Sequence, residues 1–451
     1  MEADNERRKR KKTEKGKRKR SDRKAVALKG QKRIYVTMTG VFLLVMVIFC
    51  ALNLLHKDQA FSEKENRVLS QRPQVTFGNI SNGRFMEQYE SYRADQMTGR
   101  NLWVQVKTFA DSVGGKKEEN GIFNGKDSYL LEDIAVPDEE NLKENLEAMQ
   151  NFRSAYGEVP MHVILVPNAA NILKNKLPML AVTADQSKLI EGVHAKLGAE
   201  FDWIDAQKAL KAQKDLAIYY RTDHHWTTLG AYEVFKAAKE QLGLAEKEEI
   251  PMKAYGVSNT FNGTLSAVSG YQTGYKEAIY IYLPEGENVP QIVVNYVEEQ
   301  KKTASLYDSE KLGERDQYAV FLGGNHAVVD IKSTLEGGER LLVIKDSYAN
   351  CFIPFLAPYY REIVVVDPRY YTGDLDQIMV EKKIDRVLFL YSGNTFFEDR
   401  VLSGVLNTAG DIMENMENDS ESGEGNSAES GEENSSESGG EDAGNQEESK
   451  E

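Results

Sequence analysis

Apolar residues are distributed along this chain in three patterns, and each predicts a different kind of element. Ile34–Leu55 (IYVTMTGVFLLVMVIFCALNLL) is continuous and carries no charge. About 22 such residues suffice to cross a ~30 Å hydrocarbon core, so this run predicts a membrane-spanning helix. The second pattern is a set of short apolar runs of the kind that form strands buried on both faces: Met161–Val166, Arg340–Ile344, Ile363–Asp367 and Arg386–Leu390, with shorter ones at Phe201–Ile204 and Leu216–Tyr220. The third is helical spacing over Glu139–Tyr156, Ser187–Leu197, Thr227–Leu242, Ser347–Leu356 and Leu375–Glu381, and over Gly83–Val113 nearer the N-terminus. Between Thr227 and Leu242, for example, Leu229, Tyr232, Phe235, Ala238 and Leu242 share one face. Strands alternating with helices predict an α/β fold with a mainly parallel sheet covered by helices. Met252–Asp330 breaks the alternation. It is rich in Gly, Thr, Tyr and Val and predicts a β-rich insertion.

These patterns divide the chain into residues 1–33, a membrane helix at 34–55, a lead-in region at 56–131, and an α/β domain at 132–405 with its insertion at about 252–330. A tail follows at 411–451. Charge sharpens this division. The formal net charge of −15 hides a segregation: residues 1–33 carry about +11 and residues 411–451 about −14. Lys and Arg on the N-terminal flank of the apolar run place residues 1–33 in the cytoplasm and everything after His56 outside it. Ala51-Leu52-Asn53 does not fit a signal-peptidase site, which favours an uncleaved anchor over a removed leader. The acidic body argues against a nucleic-acid partner. The tail is Glu, Ser, Gly and Asn with little to bury, and is expected to be disordered. Of two cysteines, Cys50 lies in the apolar run and Cys351 beyond it, so the exported part has no internal disulfide to form; Cys351 is expected to be a core thiol.

Two polar runs carry the candidate chemistry. Thr222-Asp223-His224-His225-Trp226 precedes a helix, and Lys345-Asp346-Ser347 follows a strand. Strand-to-helix loops are where sites collect in open α/β sheets. A serine hydroxyl needs a base to accept its proton. An imidazole can do so near neutral pH, and a carboxylate can hold that imidazole in the required tautomer. Ser347 at a helix start would also place its own N–H toward a developing oxyanion. Asn325, after Gly323-Gly324, offers a side-chain donor. Capping is the structural alternative for both Asp223 and Ser347, and core packing for Trp226.

The Asp-His-His-Trp run followed by Thr-Thr-Leu-Gly-Ala resembles the signature of the bacterial DHHW protein family. Phe321-Leu322-Gly323-Gly324-Asn325, Val343–Tyr348, Pro354-Phe355-Leu356 and Val365–Tyr370 agree with it, and the likeness covers roughly residues 58–405. That family is similar in turn to SGNH-hydrolase-like proteins that O-acetylate alginate and other exopolysaccharides. The resemblance implies a flavodoxin-like sheet, Asp223 as the orienting acid, His225 as base and Ser347 as nucleophile, with Lys345 standing where those motifs carry glycine. It implies Asn325, with Gly324, or Asn394 as the oxyanion donor; Trp226, read first as a core residue, is the alternative candidate to stack on a sugar. It also implies a membrane-bound O-acyltransferase as acetyl donor, a polysaccharide acceptor and no cofactor. Two other classes stay open: a non-catalytic polysaccharide-binding or assembly protein on the same fold, and a metal-dependent phosphoesterase using the Asp-His-His cluster.

Overall fold

The computed structural model describes residues 33–59, 61–62, 67–81 and 83–407. The basic segment up to residue 32 and the acidic tail lie outside them. Arg33–Leu55 forms one helix, with a mean hydropathy of 2.5 over an 18-residue window and nearly all its side chains exposed, long and apolar enough to cross a membrane.

The body is built on one eight-stranded sheet. Its strands in chain order are β1 (Met161–Val166), β2 (Asp202–Trp203), β3 (Ile292–Tyr296), β4 (Lys301–Thr303), β5 (Val328–Ser333), β6 (Arg340–Lys345), β7 (Glu362–Val366) and β8 (Arg386–Ser392). Across the sheet the order is β4-β3-β5-β7-β6-β8-β1-β2. β7, β6, β8, β1 and β2 run parallel, while β5, β3 and β4 extend the β7 edge in antiparallel fashion. The parallel strands read as unbroken apolar runs because both their faces are covered. Leu341 and Val343 enter one core, with Ile164, Val166, Leu388 and Leu390. Leu342 and Ile344 enter the other, with Val163, Leu165, Val387 and Phe389. The helices Glu139–Ala155, Gln186–Leu197 and Leu375–Lys382 cover the second face. The helix Thr228–Ala238 covers the first through Ala231, Val234, Phe235 and Ala238.

Four expectations change in detail. Gly83–Val113 is two helices, Arg84–Asp95 and Arg100–Val113, separated at a turn where Gly99 takes φ +72°. Leu216–Tyr220 is not a strand. Its one ladder contact is an isolated bridge between Tyr219 and Trp226, although both tyrosines are buried. The region after Ser347 is a tight 3-10 turn, Ser347–Cys351, followed by one α-turn, Ile353–Leu356, with Pro354 at its start. The β-rich stretch is of two kinds. Met252–Phe261 and Glu277–Pro284 form a separate hairpin, whereas β3, β4 and β5 belong to the main sheet. Cys351 is a buried thiol, and burial pushes its pKa up to about 12.

Candidate functional site

Ser347 follows directly on β6, the strand flanked by parallel neighbours on both sides. Asp346 fixes the exit: its Oδ1 accepts from Tyr348 N (2.9 Å) and its Oδ2 from Ser392 N (2.9 Å) at the end of β8. The capping role that sequence alone allows for Ser347 therefore falls to Asp346, and Ser347 is left half-buried with its hydroxyl not spent on the cap. Likewise the helix Thr228–Ala238 is capped by Thr227, whose Oγ1 accepts from Gly230 N, and not by Asp223.

Between these two elements the three predicted groups meet. His225 Nε2 lies 2.8 Å from Ser347 Oγ, and its Nδ1 lies 2.6 Å from Asp223 Oδ1. Asp223 is itself fully held. Oδ1 also accepts from His225 N (3.0 Å), and Oδ2 accepts from Thr264 N (2.9 Å) and Thr264 Oγ1 (3.0 Å). His224 turns the other way, with Nδ1 2.8 Å from Thr264 Oγ1, so of the two adjacent imidazoles only His225 touches Ser347.

Aromatic residues lock this array. The Tyr318 ring lies parallel to the His225 imidazole at 3.7 Å, and its hydroxyl donates to Ser347 O (3.1 Å). Trp226 Nε1 donates to Tyr348 O (2.9 Å), and the Tyr348 hydroxyl donates back to His224 O. The loop and the serine turn are thus laced through their backbones, which fixes the imidazole against the hydroxyl. At the loop's start, buried Glu277 accepts from Arg221 N, Thr222 N and Thr222 Oγ1. Trp226 is wholly buried and stacks on Phe352, so it has no face on which a sugar could stack.

The two asparagine candidates differ. Asn394 spends both ends of its amide. Nδ2 donates to Glu132 Oε2 (3.0 Å) and Asp133 O (2.7 Å), and Oδ1 accepts from Gln186 Nε2 and Ala135 N. Asn325 is exposed and anchored by its oxygen alone, which accepts from Lys345 Nζ (3.1 Å) and Asn350 Nδ2 (3.0 Å). Asn350 Nδ2 also donates to Gly324 O (3.2 Å), holding the turn against the Ser347 element. Gly323 and Gly324 take φ of +71° and +111°, which that turn requires. Lys345, in the place of a glycine, is buried and also pairs with Asp367 (3.0 Å), which Arg369 grips with two bonds.

Burial works to raise the pKa of Asp223, but the charges of His224 and His225 and the bonds from His225 and Thr264 N outweigh it and hold the carboxyl well below its ordinary range. Burial, and then His224, hold His225 down to about 4 against the pull of Asp223. The pair at neutral pH is therefore a carboxylate and a neutral imidazole, the state a base requires. A second histidine, His162, is pushed down to about 4 by its own burial and then by Arg386. Each takes up its proton more readily in the unfolded chain, near the ordinary 6.5. Their contribution to stability is present in full above that value and is lost as pH falls towards 4. Urea midpoints measured at steps from pH 7 to pH 4 should fall steadily, and less steeply in a His162→Gln variant.

Asp223, His224 and His225 have ligand-type atoms within 4.8 Å of one another. As a metal site the cluster fits poorly, because both Asp223 oxygens, both His225 nitrogens and His224 Nδ1 are already turned to protein partners.

Sequence reasoning misses Thr264, Gly263, Tyr318 and Tyr348. Gly263 has ordinary backbone angles, so space is what requires it: a Cβ there would lie 2.2 Å from Asp223 Cβ and 2.5 Å from its Oδ2. Gly263→Ala should push Asp223 off its partners and destabilise the fold by about 1–3 kcal/mol, the usual cost of overpacking. Urea unfolding of the variant checks this.

An α/β sheet with a serine, a histidine and a carboxylate in hydrogen-bonded series at the carboxyl end of a central parallel strand defines a Ser-His-Asp-bearing α/β protein. Residues 143–366 match the DHHW protein family, and the chain carries a DHHW protein domain. It is 25% identical over 186 residues to the probable alginate O-acetylase AlgJ of Pseudomonas syringae pv. tomato, a match covering 39% of this chain and 46% of that protein. The chain thus aligns with under half the length of this curated relative. Among solved structures, a DHHW family protein from Eubacterium siraeum is 24% identical with a TM-score of 0.54, over 64% of this chain and 96% of that one. Bacillus cereus PatB1, solved with a sulfonyl adduct, is 20% identical with a TM-score of 0.52, over 63% and 97%. At these identities the likeness to the two structures is one of fold.

Proposed function

We propose that this protein is a membrane-anchored, extracytoplasmic SGNH-like O-acetyltransferase or esterase that modifies a cell-surface polysaccharide through an acetyl-serine intermediate. The observation that carries the proposal is His225, bridging Asp223 at 2.6 Å and Ser347 at 2.8 Å. Resemblance to a probable alginate O-acetylase supports the acetyl group and the polysaccharide acceptor. The apolar helix Arg33–Leu55 supports the anchor.

In this reading Ser347 Oγ attacks the acyl carbonyl of the donor while His225 Nε2 takes the hydroxyl proton. Asp223 keeps the Nδ1 proton in place and balances the imidazolium. The tetrahedral oxyanion is met by the Ser347 N–H at the opening of the 3-10 turn and by the amide nitrogen of Asn325. Collapse expels the donor's leaving group, which takes the proton from His225, and leaves acetyl-Ser347. A sugar hydroxyl then gives its proton to His225 and attacks the ester, and the proton returns to Ser347 Oγ. Water in place of the sugar gives hydrolysis. A membrane-bound O-acyltransferase would supply the acetyl group from the other side of the membrane.

Asn325 fits the second donor better than Asn394, because its anchored end is the oxygen. Asn325→Ala should lower turnover roughly 10²–10³-fold, as loss of one oxyanion donor does, with folding retained. The deciding experiment offers the detergent-solubilised protein an activated acetyl ester and follows both leaving-group release and intact mass. One added acetyl on Ser347 supports the proposal. No turnover and no adduct, with retained glycan binding, would point to a non-catalytic assembly protein. Turnover abolished by chelation and indifferent to Ser347 would point to a metal enzyme.

A further inference from the structure

The helix Arg100–Val113 has two unlike sides. Leu102, Trp103, Val106, Phe109 and Val113 are 62%, 50%, 49%, 72% and 74% exposed. At about 100° per residue they fall in one stripe. Val104 and Thr108 occupy the opposite side, where they pack on Gly270, and Thr108 Oγ1 donates to Ser269 O (3.0 Å). The α/β body therefore covers one side of this helix, and among the described residues nothing covers the apolar one.

What lies against that stripe is indicated by where the helix begins. Thr98 N donates to Asn53 Oδ1 (3.1 Å) in the last turns of the apolar helix Arg33–Leu55. Gln96 then clamps the chain just beyond that helix, with Gln59 N donating to its Oε1 (2.9 Å) and its Nε2 donating to Gln59 O (2.8 Å) and Ser70 O (3.1 Å). The stripe thus starts at the level where the spanning helix leaves the bilayer.

We propose that Arg100–Val113 is an interfacial helix, lying along the outer membrane surface with Trp103, Val106 and Phe109 sunk into the headgroup–acyl boundary. An amphipathic helix of 14 residues, about 21 Å long and carrying a tryptophan on its apolar face, has the chemistry such a surface takes. The inference rests on the reading of Arg33–Leu55 as an anchor. It also bears on the site. Ser269 and Gly270 close the short helix Thr264–Ser269, whose first residue holds Asp223. Six residues, about 9 Å of helix, separate the Val104–Thr108 contact from the acid of the array, and the thickness of the helix Arg100–Val113, about 10 Å, lies between that contact and the stripe. The site is then held low over the bilayer, where a donor carried across the membrane arrives.

The test is tryptophan quenching in the full chain, reconstituted in phosphatidylcholine–phosphatidylglycerol vesicles with bromine on the acyl chains close to the headgroup. Wild-type emission should be quenched relative to unbrominated vesicles, and Trp103→Phe should abolish that quenching, since Trp226 is buried and Trp203, in the edge strand β2, is stacked on His194. Protein that resists alkaline carbonate extraction yet shows no Trp103 quenching would overturn the interfacial helix alone. Release by carbonate would overturn the anchor and the inference with it. A Phe109→Cys variant that crosslinks to a second copy in the same vesicles would also overturn it, because protein and not lipid would then cover the stripe.

Discussion

Ser347→Ala should cut turnover of an activated acetyl ester by roughly 10⁴-fold or more and abolish the acetyl adduct, while lowering the urea midpoint only slightly. The separation is expected because Ser347 is half-buried and, among the described residues, its hydroxyl bonds only His225 Nε2, so truncation opens little space and costs one hydrogen bond to the buried imidazole, about 1 kcal/mol. His225→Ala should lose activity to a similar degree but also destabilise the fold. It removes the ring on which Tyr318 stacks and leaves Asp223, buried and ionised, without its imidazole. The double variant should be no slower than either single one, because the two groups act as a unit. Additive losses would mean that hydroxyl and imidazole serve different steps, and the acetyl-serine scheme would fail. Stopped-assay kinetics beside denaturation curves for the three variants give both readouts.

Lys345→Met should have the largest effect on stability, about 3 kcal/mol, the low end of the cost of breaking a buried ion pair. Burial pushes the Lys345 ammonium pKa down, and Lys345 in turn helps hold Asp367 below its ordinary range against the effect of burial. Without the cation Asp367 keeps Arg369 but faces a buried void of charge on its other side, and Asn325 loses a donor. Lys345→Met with Asp367→Leu should recover part of the loss, because a buried pair replaced by apolar groups costs less than half a pair. Urea unfolding measures all three proteins. If Lys345→Met is neutral, the pair does not hold β6 to β7, and the placement of Asn325 must come from Asn350 alone.

The parallel part of the sheet was legible because its strands are covered on both faces and so appear as unbroken apolar runs. Met161–Val166 is found at the predicted bounds, and the runs at 340, 363 and 386 are each within two residues of theirs. Leu216–Tyr220 misled because burial, not pairing, is what Ile218, Tyr219 and Tyr220 record, while Leu216 is exposed. Tyr219 and Tyr220 fill the core behind the Asp-His loop without a strand beside them. The membership of β3, β4 and β5 in the main sheet was hidden for another reason: an antiparallel edge with one exposed side alternates, and alternation does not say which sheet a strand joins. Of the site, Asp223, His225 and Ser347 stand out as candidates because a scarce residue type and two loop positions coincide, while their separate roles come from the family resemblance, without which capping would be the first reading of Ser347. Thr264 and Gly263 do not stand out, because their task is set by a contact across about forty residues of chain, and Asn-Gly-Thr looks like any turn. Tyr318 is an aromatic in a Tyr-rich region until its ring is seen flat against the imidazole.

β8, the last strand of the sheet in chain order, lies inside it, between β6 and β1. Met161 pairs with Val387 across more than two hundred residues, so the sheet closes only when the C-terminal portion of the domain is available. A chain still emerging, arrested before Arg386, would already contain Asp223, His225 and Ser347. It would also present open backbone edges on β6 and β1, and Asp346 would lack the Ser392 N–H that steadies the turn beneath the serine. Such non-local closure is slow and leaves strand edges open to pairing with other chains. Nascent chains would therefore be inert towards the ester yet prone to stick, and the interval between making the nucleophile and making the strand beside it is the stage at which a chaperone has most to protect.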